Sequence, residues 1–426
     1  MGPQSRFAQT GLDKLGPIMR ILIVSQYFWP ESFIINELAR KLAGAGHAVV
    51  VATGKPNYPS GKITSGYTKK GVQRENFAAD IEVIRIPLRP RGKANGFNLS
   101  LNYLSFVLSG LTRLPWVLRG RRFDVILVFC PSPITVAIPA ILLRYIKRAH
   151  LALWVQDLWP EAVVATGFVR NRLLINALGS MVRFIYRAAD TLLVQSDAFV
   201  APISKYVSKE KVFVLKNFAA SSIEEMPAPL PASIEGLFVG RFSVVFAGNL
   251  GRAQSLRTIV DAARILQHHP EILIMVAGTG TDAEWLKQTI VREELTNIVL
   301  TGRLDSSMMP ALVALADCLL VTLRDDPALN ATIPSKLQDY LKAGRPVIGA
   351  LNGEGARLIE LAGVGLTAHA EDGTGLAERI LTLYEMPKAK RSKLAEAGRA
   401  YYDMHFDIDK LLDQLLRTLQ SRMKRP

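Results

Sequence analysis

The sequence is poor in cysteine and has no recognisable metal-binding spacing. Its 426 residues include two cysteines, Cys130 and Cys318, which lie far apart in the chain. Two cysteines do not make a disulfide framework, and they favour a reducing compartment. No CxxC or HExxH pattern occurs, so the sequence argues against a structural metal, and we expect none.

The sequence also lacks a secretory signal and a clear membrane span. The first 18 residues contain no apolar core of the kind that a signal peptide needs. A strand pattern begins at Met19, and we expect residues 1–18 to form a disordered extension. The most apolar stretch, 97–118, is interrupted by two asparagines, an arginine and a proline, which make it a poor transmembrane helix.

Positive charge is in excess, and the excess is concentrated in one region. The formal net charge is +15, and between Arg85 and Arg148 eleven Arg and Lys residues accompany a single acid, Asp124. Because these cations bracket the apolar stretch 97–118, the region fits an anionic membrane surface. It also fits a core helix with a solvated basic rim. Nucleic acid is not expected, since no aromatic-basic pattern of an RNA-binding module occurs.

Two series of apolar strands alternate with helices along the chain. The first series has strands at 20–26, 47–54, 123–130, 149–156, 190–196 and 211–217, and its first helix is at 35–46. The second series has strands at 243–248, 272–278, 297–302, 317–323 and 345–351. Alternating strands and helices indicate parallel sheets. The predicted fold is α/β, with two doubly wound Rossmann-like domains facing a central cleft.

The predicted boundaries follow the change of composition between the two series. An acidic, proline-rich stretch without basic residues, 221–236, is typical of a linker. We therefore expect an N-terminal acceptor-binding domain at 19–220, a linker at 221–240 and a C-terminal nucleotide-sugar-binding domain at 241–400. A last helix, at 401–426, would pack back toward the N-terminal domain.

Glycine-containing turns in the second series are candidate phosphate sites. Gly248 and Arg252 lie in the strand-to-helix turn 247–254, and Gly278 and Gly280 lie in a second turn after a strand. Glycine permits close backbone approach, and a helix N-terminus receives phosphate. Plain strand-to-helix turns would look the same. The GxGxxG fingerprint is absent, which argues against a dinucleotide cofactor.

The stretch 332–355 contains a local conflict. Thr332 is a residue type that caps helices and Pro334 suits a first helical position, so a helix is predicted at 335–343. Ser335 and Lys336 then occupy its first turn, where a lysine opposes the helix dipole. A diphosphate docked on this helix end would resolve the conflict. Asp339, on the same face, would accept hydrogen bonds from a ribose diol, although a solvated Lys–Asp pair is the alternative.

Acceptor-binding candidates follow strands of the first series. Tyr27, Trp29 and Glu31 come directly after the first strand, and Asp157 follows the strand 149–156. An acid at a strand end can orient or deprotonate a hydroxyl group. Asp157 could equally cap the next helix.

Together these segments resemble the retaining glycosyltransferases of the GT-B fold, in the large family 4. The resemblance runs from Met19 to about residue 420 and is carried by QYFWPESFIINELA, TGKPNYPSGKI, VQDLWPEAVVATG, AGNLGRAQ and TIPSKLQDYLKAGRPVIGALNGEGARLI. Within the family the chain looks most like the bacterial O-antigen and capsule subgroup that includes the L-fucosamine (N-acetylfucosamine) transferases. The resemblance adds Asn57 and Tyr58 to the expected acceptor-binding residues.

Several family positions are changed. The family usually has a Glu-x7-Glu pattern, and here Asp339 stands at the second position and Ala331 at the first. The arginine and lysine usual in the first glycine turn are replaced by Asn249 and Gln254. Arg252 and Lys336 are our substitutes for binding the diphosphate. The expected donor-binding residues are Gly248, Asn249, Gln254, Gly278, Gly280, Arg303, Thr332, Pro334, Ser335, Asp339 and Glu354, and the expected catalytic residues are Asp157, Lys336 and Arg252.

The resemblance implies transfer of a sugar with retained configuration. The donor would be a nucleotide sugar, expected to be UDP-linked and to carry an N-acetylated 6-deoxyhexosamine. The acceptor would be a polyprenyl-diphosphate-linked saccharide in O-antigen or capsule biosynthesis. The protein would be cytoplasmic and peripheral on the anionic inner face of the membrane, with no cofactor and no metal. A GT-B nucleotide-sugar epimerase and a non-catalytic scaffold of a polysaccharide assembly complex are the alternatives.

Overall fold

A computed structural model of the chain describes residues 17–78, 80–92, 96–165, 171–219 and 228–423. Most of the predicted extension 1–18 and the start of the predicted linker lie outside these residues. The chain divides into two compact units. One runs up to Lys216 and includes the segment from Ile408, and the other is Asn217–Asp407.

The first unit is built on an eight-stranded sheet. Its strands are β1 (Arg20–Ser25), β2 (Ala48–Gly54), β3 (Gln73–Phe77), β4 (Ile81–Ile86), β5 (Val125–Cys130), β6 (His150–Val155), β7 (Thr191–Val194) and β8 (Val212–Val214). The spatial order is β3-β4-β2-β1-β5-β6-β7-β8. All neighbouring strands pair in parallel except β3 and β4, which are antiparallel.

Helices connect these strands as the predicted alternation requires. They are α1 (Ile34–Gly44), α2 (Gly96–Val117), α3 (Ala137–Lys147), α4 (Glu161–Ala165), α5 (Arg172–Ala188) and α6 (Val200–Ser204). Strands β1 and β5 are apolar at successive positions and almost wholly buried, as expected for parallel strands covered on both faces.

The apolar stretch predicted at 97–118 forms α2. One face, with Asn102, Phe106 and Leu114, is buried, and Gly110 lets α2 approach α3, since a Cβ there would lie 2.6 Å from Pro139 Cγ. The opposite face is exposed. No helix in the described ranges is both long and apolar enough to cross a membrane.

The second unit is built on a six-stranded sheet in the order β11-β10-β9-β12-β13-β14, with every pair parallel. Its strands are β9 (Phe242–Ala247), β10 (Ile272–Ala277), β11 (Ile298–Gly302), β12 (Cys318–Thr322), β13 (Val347–Ala350) and β14 (Gly365–Ala368). Alternate residues of each strand join opposite cores: Val245 and Met275 pack in one, Val244 and Ile274 in the other.

Helices flank this second sheet, and the predicted linker contributes the first of them. They are α7 (Ala232–Glu235), α8 (Leu256–Ile265), α9 (Ala283–Arg292), α10 (Met309–Leu315), α11 (Pro327–Asn330), α12 (Ser335–Ala343), α13 (Gly353–Leu361), α14 (Gly373–Glu385) and α15 (Lys388–His405). The last helix, α16 (Ile408–Met423), belongs to the first unit. Its Asp409 lies 2.7 Å from Lys41 of α1, and Gln414 donates to the Val214 carbonyl of β8.

The prediction of two doubly wound parallel-sheet domains is confirmed. Three strands, β3, β4 and β14, are present that the sequence analysis did not predict. The eleven predicted strands are all present, with ends that differ by at most three residues.

Candidate active site

Two glycine turns meet at the carboxyl edge of the second sheet. Gly248 follows β9 with φ of 137°, and Gly278 follows β10 with φ of 148°, a backbone region that side chains disfavour. A Cβ on Gly278 would lie 1.8 Å from the Gly248 carbonyl oxygen, and one on Gly280 would lie 2.4 Å from the Leu250 backbone. The two turns are therefore packed backbone against backbone, and glycine is required for that contact.

Lys336, from the first turn of α12, reaches over the turn after β9. Its Nζ donates to Oε1 of Gln254 over 2.7 Å and lies 3.5 Å from the centroid of the Phe246 ring. A Cβ on Gly248 would lie 2.7 Å from Lys336 Cε. Lys336 thus forms one cluster with Gly248 and Gln254, which lie more than eighty residues earlier in the sequence.

The charge of Lys336 has no ionic partner among the described residues. Desolvation lowers its pKa to about 7, and no carboxylate counteracts this. The face of the Phe246 ring favours the protonated form, so it opposes part of the effect of burial. An ammonium group held this way gains more from an incoming anion than one already paired with a carboxylate.

Other predicted donor-binding residues lie on this turn, on α12 and on neighbouring elements of the second unit. Asn249 and Arg252 are exposed at the turn after β9, and Asp339 is exposed one turn along α12. Arg303 is exposed after β11. Glu354, in the first turn of α13, lies 3.6 Å from Arg357 in an ion pair.

The predicted helix 335–343 has the bounds of α12, but the capping interpretation is wrong. The N-cap position is Pro334, with no side-chain hydrogen bond to the helix. The Thr332 hydroxyl donates instead to the carbonyl of Ala328. The first turn of α12 therefore presents N–H groups that no side chain caps.

In the first unit, Glu31 joins two loops at the carboxyl edge of the sheet. Its carboxylate accepts hydrogen bonds from the backbone N–H groups of Asn57 and Tyr58, both over 2.7 Å, and of Phe28 over 3.3 Å. Burial raises the pKa of Glu31, and these three donors oppose the shift. With both oxygens engaged, Glu31 positions the loops and leaves ligand contact to their side chains.

Tyrosines from these loops form a shelf. Tyr27 is buried and stacks on Phe33 with ring centroids 5.1 Å apart. Tyr58 lies 5.9 Å from Tyr27, centroid to centroid, and keeps 44% of its surface exposed. Trp29 packs elsewhere, against Phe77.

Asp157, after β6, is held by a relay of hydrogen bonds. The Trp159 indole N–H donates to the Ser132 hydroxyl over 3.1 Å, and that hydroxyl donates to Asp157 over 2.6 Å. Burial raises the pKa of Asp157, and the bond from Ser132 opposes the shift. Among the described residues the carboxylate accepts from Ser132 and from no N–H group of α4, so the capping alternative has no support.

Sequence reasoning missed a polar group beside these residues. The Gln26 amide donates to Asn102 over 2.7 Å, and Tyr103 lies near Tyr27 and within electrostatic reach of Asp157. The available signal was Asn102 itself, an amide inside an apolar stretch. A buried amide needs a partner, so its presence marks a polar environment on the buried face of α2.

Comparison with known proteins gives consistent matches for both units. Residues 33–217 match the family described as glycosyl transferase 4-like domain, and residues 241–386 match the family described as glycosyl transferases group 1. A protein of Escherichia coli (strain K12) named as the colanic acid biosynthesis glycosyl transferase WcaI is 24% identical over 421 residues, which are 95% of this chain and 100% of that protein.

Solved structures resemble the whole chain at low sequence identity. Anabaena Alr3699/HepE in complex with UDP has a TM-score of 0.66 and 16% identity, over 95% of this chain and 100% of that chain. Sucrose-phosphate synthase from Thermosynechococcus elongatus has a TM-score of 0.72 and 15% identity, over 95% and 99% of the respective chains. At these identities the likeness establishes the fold.

The environment of Asp157 predicts that its charge costs stability. We expect Asp157→Asn to raise the Tm at pH 7.5, since the amide removes a charge that burial disfavours. The folded-state pKa is raised, so the gain should shrink as pH falls through that pKa and the wild-type carboxyl group is protonated. Thermal denaturation followed by circular dichroism measures this.

Asp124 supplies the matched control. Its carboxylate accepts hydrogen bonds from the backbone and guanidinium of Arg20, and the guanidinium lowers its pKa. Its stabilisation is present above the unfolded-state pKa and is lost as pH falls through the folded-state pKa. Asp124→Asn should therefore lower the Tm at pH 7.5. A fall of similar size for Asp157→Asn would contradict our account of Asp157.

Proposed function

Because the chain is a glycosyltransferase with the GT-B fold, we propose that it transfers a sugar from a UDP-linked donor to a lipid-linked saccharide in bacterial surface polysaccharide biosynthesis. The name of its Escherichia coli relative, for colanic acid biosynthesis, supports the polysaccharide assignment. The UDP bound to the Anabaena structure supports the choice of nucleotide.

The observation that carries this proposal is the position of Lys336. Its ammonium group lies beside the glycine turn after β9, in the uncapped first turn of α12. The cation, the helix dipole and the free N–H groups all favour a diphosphate there. Gln254 holds the ammonium group in place from the turn itself.

This arrangement suits the chemistry of the leaving group. As the bond between the sugar and the diphosphate breaks, negative charge grows on the phosphate oxygens, and preorganised cations and N–H groups stabilise it. We assign this role to Lys336, Arg252 and the N-terminus of α12. A metal ion is not required in this scheme. Asp339 would accept hydrogen bonds from the ribose diol.

On the acceptor side, we propose that Asp157 orients the attacking hydroxyl group or stabilises the positive charge that develops on the sugar. Anomeric configuration would be retained, with a departing phosphate oxygen taking the acceptor proton, so that no strong base is needed. The proposed donor sugar is an N-acetylated 6-deoxyhexosamine, on the strength of the resemblance to the fucosamine transferases.

We also propose that the first unit rests on an anionic membrane through one face. This apolar-basic face consists of exposed side chains on three adjacent helices: Phe97, Leu104, Leu108 and Trp116 of α2, Tyr145 and Ile146 of α3, and Leu173, Leu174 and Phe184 of α5. Exposed arginines stand among them, including Arg113, Arg119 and Arg183. Apolar side chains flanked by cations favour the interface of a bilayer that contains anionic lipid.

Nucleotide selectivity is the first test of the donor assignment. We expect UDP to raise the Tm more than GDP, dTDP or ADP at equal concentration, in a thermal-shift assay. A single-site ligand at a hundred times its Kd adds about 2.7 kcal/mol of stability. The absence of a shift with all four nucleotides would contradict the proposed donor site.

The environment of Lys336 predicts how UDP affinity depends on pH. Above a pKa of about 7 the free lysine loses its proton, whereas a bound diphosphate requires the charged form. Affinity should therefore fall by up to tenfold per pH unit as pH rises above about 7. Isothermal titration calorimetry in buffers of different ionisation enthalpy would detect the accompanying proton uptake.

Substitution isolates the contribution of this lysine. Lys336→Gln should weaken UDP binding at least tenfold at pH 6.5 and remove most of the pH dependence above 7. Lys342→Gln, at the other end of α12, is the control and should retain both. Equal pH dependence in wild type and Lys336→Gln would show that another group titrates.

Vesicle flotation tests the apolar-basic face. We expect binding to vesicles that contain phosphatidylglycerol, little binding to pure phosphatidylcholine, and weaker binding as salt increases. Leu108→Glu should reduce binding at least fivefold. Val291→Glu, at an exposed apolar position of α9, should leave it unchanged. Binding that ignores both lipid charge and salt would contradict the electrostatic account.

A further inference from the structure

We propose that Arg91, together with Tyr27 and Tyr58, binds the phosphate or diphosphate group of the acceptor. This anion site lies in the first unit and is distinct from the Lys336 cluster, to which we assign the donor diphosphate. The inference rests on the proposed function, since it assigns the charged part of a lipid-linked acceptor to named residues.

The guanidinium group of Arg91 lies over the tyrosine shelf without an ionic partner. Its Cζ is 5.0 Å from the ring centroid of Tyr58 and 5.7 Å from that of Tyr27. Its Nε is buried and has no hydrogen-bond partner among the residues that the structure describes. In the described part of the chain, no carboxylate forms an ion pair with it.

Arg85, six residues earlier, shows how an arginine with a structural role differs. It is fully buried, and its guanidinium donates to the Glu75 carboxylate and to the carbonyls of Gly54 and Trp29. The N–H donors of Arg85 therefore form hydrogen bonds within the fold. Arg91 stacks on the tyrosine rings, and its guanidinium N–H groups remain available to a ligand.

The backbone of Arg91 is fixed by the loops that Glu31 organises. Glu31 accepts from the Asn57 N–H, and the side-chain oxygen of Asn57 accepts from the Arg91 N–H over 3.1 Å. The next residue, Gly92, donates to the carbonyl of Gly61 over 2.9 Å, where a Cβ on Gly61 would lie 2.0 Å from the Gly92 oxygen. The position is therefore preorganised before a ligand arrives.

The chemistry of this site favours a phosphate group. A guanidinium group presents a planar set of N–H donors that matches two phosphate oxygens. Stacking on tyrosine rings holds the plane of the group and adds a cation–π contribution while leaving the donor edge free. A charge that is partly desolvated and unpaired gains most from a ligand that carries the opposite charge.

The site also lies next to the proposed acceptor chemistry. Tyr103 lies near Tyr27, and Arg91 and Asp157 both lie within electrostatic reach of Tyr103. The tyrosine shelf and Asp157 are therefore neighbours at one edge of the first sheet. An acceptor whose phosphate binds Arg91 would present its sugar on the side of Asp157.

Direct binding tests the inference without requiring the natural acceptor. We would titrate inorganic pyrophosphate and geranyl diphosphate into the wild-type protein, with and without saturating UDP, by isothermal titration calorimetry. We expect both probes to bind in the presence of UDP. Arg91→Gln should weaken this binding at least tenfold, and Arg91→Lys, which keeps the charge but not the planar group, should weaken it less.

Arg89→Gln is the matched control. Arg89 is on the same loop and is exposed, and its contact is with Asn98 over 3.4 Å, so its loss should change binding less than twofold. Arg91→Gln should also keep or raise the Tm, because it removes an unpaired charge, whereas a merely structural arginine would lower the Tm on removal.

The outcomes separate the possible sources of the anion. Tighter binding of geranyl diphosphate than of pyrophosphate supports a lipid-linked ligand. Equal binding of the two supports a site that recognises the diphosphate group and makes no contact with the lipid. Loss of all binding when UDP is present would place the probes in the donor site and overturn the proposal. So would equal weakening by Arg89→Gln. UDP binding, measured in the same series, tests the donor site separately.

Discussion

Parallel strand pairing is the constraint on which both candidate sites depend. Parallel strands bring the residues that follow them to one edge of a sheet. In the second unit this places the turns after β9 and β10 in backbone contact and brings Lys336 over the first of them. In the first unit it gathers Tyr27, Asn57 and Asp157, which follow β1, β2 and β6. The residues of each cluster are far apart in the sequence, and the parallel sheet brings them together.

The cationic side chains include some that are paired with acids and some that are held against aromatic rings. Many arginines of the first unit are paired with acids, as in Arg20–Asp124 and Arg144–Asp190. Lys336 and Arg91 differ because each is held against an aromatic ring and, among the described residues, forms no ion pair with an acid. Aromatic rings steady a cation without neutralising it, so the charge stays available. Each unit thus has, at the edge of its sheet, a cation that remains available to an anionic ligand.

Sequence reasoning predicted the central strands because they are short, apolar and regularly spaced between helices. It missed β4, where a buried arginine, Arg85, interrupts the apolar pattern, and β3, a polar edge strand. It also missed β14, which is short and begins with glycine. Lys336 was identified because a lysine in a first helical turn contradicts a local rule. Arg91 was not, since a basic cluster in a sequence does not show which cations find partners. Those partners, such as Glu82 for Arg121, lie tens of residues away.

Helix α2 has a consequence for the geometry of the reaction. Its outer side carries Leu104 and Leu108, and its inner side carries Asn102, whose amide bonds Gln26 and the Arg89 carbonyl. The surface proposed to contact lipid and the polar edge of the sheet therefore lie on two sides of the same helix, α2. If α2 rests on a bilayer, the distance from Asp157 to the lipid headgroups is fixed by the packing of the first unit and not by a flexible tether. Such an enzyme would select acceptors by their length, because it would reach only sugars that lie within a narrow range of distances from the membrane.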